Sequence, residues 1–190
     1  MQKKVEVFLS KSTKINIVGL NREELAAELE IMGEKPFRLK QLWHWIYFRG
    51  VSDFNAMTTL SKTARTRLAE TYFIGRPEIV TQKLSRDGTR KWLLKSSDTN
   101  TVETVFIPEG KRGTICVSSQ VGCSLSCSFC HTGTMKLERN LELDEIVGQI
   151  VTVKHFLQDW KKKTEEKIIT NIVFMGMGEP LLNYNNVVNS

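Results

Sequence analysis

The sequence lacks any apolar run long enough to cross a bilayer. The longest, residues 168–175, is interrupted by Thr170 and Asn171 and falls far short of the roughly 18 to 20 residues a span requires, so no membrane segment is expected. No secretory leader is expected either: Lys3 and Lys4 precede only Val5, Glu6, Val7, Phe8 and Leu9, too short and too charged for an apolar leader core, and the expected compartment is the cytoplasm. No internal repeat or low-complexity tract stands out, and 41% hydrophobic against 25% charged residues in a chain of 190 excludes disorder throughout and fits one or two compact domains. Cysteine is absent outside one short segment that holds Cys116, Cys123, Cys127 and Cys130. A disulfide framework would scatter its cysteines to staple distant loops; crowding points instead to metal chemistry in a reducing compartment.

Acidic residues are the minority, 21 against 27 Lys and Arg, for a net charge of +6. The surplus is uneven: residues 1–76 carry 13 basic and 8 acidic groups (net +5), the remainder 14 and 13 (net +1). A basic module joined to a nearly neutral one suits a polyanion partner, because neutralising phosphates releases counterions.

Asn21 followed by Glu24 reads as a helix cap, with Leu25, Leu29 and Met32 on one face and a stop at Gly33. A second helix is expected to open at Pro36 and bury Phe37, Leu42, Trp45, Ile46 and Phe48; a third follows Ser61 with Ala64, Leu68 and Tyr72 inward. Residues 1–76 are thus expected to form an all-helical domain. Lys35, Arg38, Lys40, Arg49, Lys62, Arg65 and Arg67, with Trp43, His44 and Tyr47 interleaved, make its candidate RNA or DNA surface. The bland alternative is aromatic core under a solvated charged face.

Past Arg76-Pro77 the period becomes alternating: residues 78–84, 90–95 and 101–107 read as antiparallel strands, with Asp87-Gly88 closing a hairpin. Residues 113–119 read as a further strand that leads into the cysteines. Residues 143–160 read as a helix capped by Asp144, with Ile146, Ile150, Val153, Leu157 and Trp160 on the inner face. Residues 168–175 have the continuous hydrophobicity of a parallel strand buried on both faces. Three segments are expected: 1–76 helical, 77–112 an antiparallel extension, and 113–190 the start of an α/β barrel.

Cys123, Cys127 and Cys130 are spaced CxxxCxxC. Three thiolates hold three corners of a [4Fe–4S] cubane and leave one iron open to a small molecule. Zinc needs a fourth ligand: His131 adjoins Cys130 too closely for easy tetrahedral ligation, whereas Cys116 would complete a four-cysteine set. The cluster is favoured because zinc hairpins pair their cysteines two by two. The second signal is Met175-Gly176-Met177-Gly178-Glu179-Pro180 at the end of the expected parallel strand, where α/β folds bind ligands and where glycines let backbone approach closely. Both loops follow strands, so both are expected on one rim.

These residues resemble a known family. CxxxCxxC with Phe129 before the last cysteine is similar to the radical S-adenosylmethionine (radical SAM) signature. Residues 102–105, 113–123 and 175–183 resemble the dual-specificity ribosomal and transfer RNA adenine C2-methyltransferases of RlmN type, a resemblance running from about Leu20 to the last residue. The resemblance implies an α/β fold with a small N-terminal helical RNA-binding domain, short antiparallel strands and a partial (β/α)6 barrel. It implies that Cys123, Cys127 and Cys130 ligate a [4Fe–4S] cluster whose open iron chelates S-adenosylmethionine, and that Gly178 and Glu179 hold the cofactor's methionine end. Glu103 matches the family's proton acceptor, and Cys116 the cysteine that resolves the covalent enzyme–RNA adduct. Implied partners are 23S rRNA, tRNA and an electron-donor protein; a monomer is implied.

In the family the methyl-carrying cysteine lies in the C-terminal half, and no candidate for it exists among these residues. At about 30 residues per strand-plus-helix unit, a six-strand barrel needs on the order of 180 residues, against about 75 after Cys116. The expectation is a truncated chain with an incomplete barrel.

Overall fold

The computed structural model describes residues 14–96, 98–161, 163 and 166–190. The first elements are β1 (Ile15–Asn16), α1 (Arg22–Ile31), α2 (Phe37–Trp43), α3 (Lys62–Thr71) and β2 (Tyr72–Phe73). The capping box read from sequence is present: the Asn21 side chain accepts from the Glu24 amide and the Glu24 carboxylate accepts from the Asn21 amide, both at 2.9 Å. Ser61 caps α3 through the Ala64 amide. Leu25, Leu29, Leu42, Trp45, Ile46 and Leu68 close over one core.

Two expectations for this region are corrected. It is not wholly helical, since β1 and β2 pair in parallel. Phe37 and Phe48 lie on the surface rather than in the core. Phe37 opens α2 with the Arg38 guanidinium over its ring. Beyond α2 the chain winds into a π turn, His44–Phe48, whose extra residue per turn resets the register: Trp45 and Ile46 turn inward, and Phe48 stacks on exposed His44 at 5.4 Å.

The second part is built on one sheet of order β3-β4-β5-β6-β9: β3 (Glu78–Leu84), β4 (Arg90–Lys95), β5 (Thr101–Glu109), β6 (Arg112–Cys116) and β9 (Asn171–Val173). The first four strands run antiparallel and β9 is parallel to β6. Residues 77–112 and 113–190 therefore share a sheet. Between β6 and β9 come β7 (Gln120–Val121), β8 (Arg139–Asn140) and α4 (Leu143–Phe156); α5 (Tyr184–Asn189) follows β9. Period-two alternation sorts the sheet faces. Trp92, Leu94, Val102, Phe106 and Ile115 form a core with Ile146 and Val153 of α4, and Trp92 meets Phe156 edge-on at 5.5 Å. Lys91, Glu103 and Cys116 alternate with these buried residues and so belong to the opposite, more open face.

Three boundaries differ from expectation. The cap of α4 is Glu142, in a reciprocal box with Glu145, because Asp144 accepts instead from the Asn16 side chain at 2.8 Å. The helix ends before Trp160, where Gln158 takes a φ of +55°, a left-handed stop. The strand expected across residues 168–175 is only Asn171–Val173 and lies at the sheet edge, with Ile172 47% exposed rather than buried on both faces. The strand expected across residues 113–119 ends at Cys116.

Asn16 joins the two parts: its side-chain Oδ1 accepts from the Val18 and Gly75 amides while its Nδ2 donates to the Asp144 carboxylate. Among the described residues no helix is long and apolar enough to cross a membrane.

Candidate cofactor site

The cysteine loop rises between β7 and β8, which pinch its base through the pairs Gln120 with Asn140 and Val121 with Arg139. Gly122, at φ +77°, makes this possible: a Cβ there would lie 2.0 Å from the Lys136 carbonyl oxygen. Within the loop the Cys130 amide donates to the Cys127 carbonyl at 3.1 Å and the Gly133 amide to the Cys130 carbonyl at 3.1 Å. The Leu125 amide donates to Cys123 Sγ at 3.4 Å. Cys127 is exposed, Cys123 and Cys130 are half-buried, and all are unbridged. Phe129, between the last two, is 91% exposed.

Three thiols on one open loop, one already receiving an amide, fit the ligand set of a [4Fe–4S] cluster. Among the described residues no three His, Cys, Asp or Glu side chains converge on a single-ion position. A cubane distributes its thiolates over separate irons rather than around one ion. The four-cysteine zinc arrangement is not brought together: Cys116 is in the sheet, paired across β5 and β9 with Val105 and Val173, and burial pushes its thiol above the ordinary cysteine range.

The glycine-rich loop lies beside the root of the cysteine loop. Beyond β6 the Val117 amide donates to Val173 and the Gly176 amide to Val117; Ser119 and Gln120 amides then donate to the Met177 carbonyl at 2.8 and 3.2 Å. The Glu179 amide donates to Gln120 Oε1, and Gln120 Nε2 to Asn140 Oδ1. Gly178 has φ +92°, and a Cβ there would meet Gln120 Cβ at 2.5 Å. Only glycine therefore lets this turn press against β7. Glu179 caps the following turn through the Leu181 amide.

Glu103 is half-exposed and ion-paired with Lys91 at 2.8 Å. It stands two residues from Val105, the register partner of Cys116, and such diagonal neighbours across a sheet are about 7–8 Å apart. Glu103 and Cys116 thus share one face, with the two loops at the end of the same strands.

Sequence reasoning missed the buried polar groups that hold these parts. Gln149 of α4 accepts from the Thr104 hydroxyl and the Ser118 amide, both at 2.8 Å, and donates to the Ser118 carbonyl at 2.9 Å. Asn183 donates to Ser119 and Leu141 carbonyls. The available signal was the polar run Ser118-Ser119-Gln120 next to an apolar strand.

Arg139, at the foot of the cysteine loop, is held by Glu145 at 2.7 and 2.8 Å and by Asp98 at 2.7 Å. The Arg139 hydrogen bond holds the Asp98 carboxyl well below its usual range. A depressed carboxylate contributes stability that is complete above its unfolded value and is lost as pH falls through the folded one. The urea midpoint is therefore expected to fall more steeply below about pH 5 in the native chain than in Asp98→Asn; parallel curves would show that the pair adds nothing.

In the candidate RNA surface, the charges divide. Arg38 is tied to Glu34, Gln41 and the Thr59 carbonyl, Arg65 to the Asn55 carbonyl, and Arg67 faces Glu34. Lys35, Lys40, Arg49 and Lys62 are exposed. Trp43 and Tyr47 are half-buried against each other, ring centroids 4.5 Å apart, and His44 is exposed.

Known proteins are similar to this chain in fold and in sequence. A crystal structure of a radical SAM methyltransferase from Sphaerobacter thermophilus superposes with a TM-score of 0.80 at 38% identity, over 92% of this chain and 50% of that one. Residues 15–74 match the family described as the ribosomal RNA large subunit methyltransferase N-terminal domain. The chain is 59% identical over 174 residues to the dual-specificity RNA methyltransferase RlmN of Rhodospirillum rubrum, covering 91% of this chain and 41% of that protein. It is 52% identical to the RlmN of Zymomonas mobilis subsp. mobilis, covering 93% and 46%. The fold is similar to that of a radical SAM methyltransferase over half of the latter's length. Within that class the chain is similar to the RlmN proteins, and it spans less than half the length of the curated relatives it matches.

Proposed function

We propose that this chain carries the cofactor-binding and RNA-contacting part of a radical SAM enzyme that methylates carbon 2 of adenine in 23S rRNA and tRNA. The observation that carries this reading is the backbone ladder from Ser119 and Gln120 to Met177, which sets the cysteine loop and the glycine-rich loop side by side. Cys123, Cys127 and Cys130 would hold a [4Fe–4S] cluster, and Gly178 and Glu179 the amino-acid end of S-adenosylmethionine. When bound and reduced, that pair supplies a radical that carbon 2 requires, because this carbon lies between two ring nitrogens and is too electron-poor to attack a methyl sulfonium.

The protein's own residues position and handle protons. Glu103, on the open sheet face, would take the proton released from the modified base. Cys116, on the same face with its thiol pKa raised by burial, would as thiolate attack the sulfur of the methyl-carrying cysteine that the family places in its C-terminal half, the new disulfide forming as the carbon–sulfur bond to the base breaks and its electrons pass to the base. Lys35, Lys40 and Lys62, with Arg49 stacked over the Trp45 ring, offer exposed cations to phosphate. An electron-donor protein is the expected further partner.

Anaerobic reconstitution tests the reading. A brown protein with about four irons per chain and RNA affinity that falls with added salt is the expected result. Colourless protein holding one zinc on four cysteines would overturn it in favour of a non-catalytic RNA-binding module.

A further inference from the structure

We propose that Ser118 is a positioning residue: its hydroxyl fixes the glycine-rich loop, and with it Gly178 and Glu179, against the strand that carries Glu103. This rests on the assignment of the two loops to one cofactor site. Ser118 is fully buried. Its hydroxyl donates to the Glu103 carbonyl at 2.6 Å and accepts from the Met177 amide at 2.9 Å. Its own amide and carbonyl are both held by the Gln149 side chain. The backbone at Ser118 is thereby clamped from α4, and its hydroxyl has one direction left. One oxygen joins segments that lie 15 and 59 residues away in sequence.

The neighbouring hydroxyl does not duplicate the join. Ser119 Oγ stands 3.5 Å from the Met177 carbonyl, a distance at which a hydrogen bond contributes little. The glycine-rich loop also lies directly on Ser118: a Cβ at Gly176 would come 2.7 Å from Ser118 Oγ. A residue that merely filled space here could be apolar. Ser118 instead satisfies two backbone groups from two different elements, the geometry expected where their relative placement matters.

Amide hydrogen exchange by NMR on the full chain, without metal or cofactor, reads the join directly. In Ser118→Ala the Met177 amide is expected to lose protection by about tenfold or more, the equivalent of one lost hydrogen bond. The Val117 and Gly176 amides, bonded to Val173 and Val117 carbonyls, should change by less than about threefold. Ser118→Thr keeps the oxygen and should retain Met177 protection. In reconstituted protein, the S-adenosylmethionine dissociation constant, read from the cofactor-induced change in the reduced cluster's paramagnetic resonance spectrum, should rise about tenfold in Ser118→Ala at unchanged iron content. Equal loss of protection at all three amides would mean general loosening and would overturn the proposal, as would unchanged Met177 protection or unchanged affinity in Ser118→Ala. If Ser118→Ala does not fold, loss of Met177 protection in folded Ser118→Thr overturns it and retention supports it. A native chain that takes up no iron would count against the functional assignment, while the exchange pattern, measured without iron, still decides the role of Ser118.

Discussion

Cys127→Ser is expected to abolish iron uptake on anaerobic reconstitution while leaving thermal unfolding of the chain nearly unchanged. Cys127 is exposed, and its backbone, which accepts from the Cys130 amide, is kept by serine. Surface substitutions away from caps, charges and packed cores cost within about 0.5 kcal/mol, so the fold should not register the change. The cluster should. Three protein thiolates are the fewest that leave one iron open and still anchor the other three, so loss of one corner should take iron from about four per chain to under about one. Cys116→Ser is the informative companion. Cys116 lies in the sheet, paired across β5 and β9, and should keep its full complement of iron. In a four-cysteine zinc site both substitutions would lose metal equally, so the pair of variants distinguishes the two chemistries by metal analysis alone.

Features legible in the sequence are those written in local patterns. The Asn21 and Glu24 box, the Ser61 cap, the strands flanking Asp87-Gly88 and the inward stripe of Ile146 and Val153 each follow from a few adjacent residues, and each is present. The shared rim of the two loops was legible too, because both follow strands that pair in parallel. What escaped depends on partners far along the chain. Asp144 satisfies the local pattern for a cap as well as Glu142 does, but Asn16, 128 residues away, engages it. Phe48 fits an inward stripe until the π turn at His44–Phe48 shifts the register, and Phe37, at the first residue of α2, lies on the surface under the Arg38 guanidinium. Gln149 has the polarity of a surface helix residue, and nothing in its neighbourhood announces that Ser118 and Thr104 take up three of its hydrogen bonds. Continuous hydrophobicity across residues 168–175 suggests a buried strand, but β9 is a short edge strand, with Ile172 and Met175 exposed.

That network leads to the largest expected loss of stability. Gln149→Leu preserves volume and apolar contact, so a view of α4 as simply packing on the sheet predicts little effect. The hydrogen bonds predict otherwise. Leucine would leave the Ser118 amide, the Ser118 carbonyl and the Thr104 hydroxyl buried without the partner each has in the native chain. An orphaned buried polar group costs about 1–3 kcal/mol, and with partial relaxation the three together should remove about 4 kcal/mol, comparable with emptying a large core side chain. Urea unfolding measures this directly; a loss below about 1 kcal/mol would show that the groups find other partners. Thr104→Val introduced into Gln149→Leu should restore about 1–2 kcal/mol, because it removes one orphaned hydroxyl, whereas the same substitution in the native chain should destabilise. The opposite signs would localise the energy to the polar junction between β5, α4 and the root of the cysteine loop, where Ser118 is held.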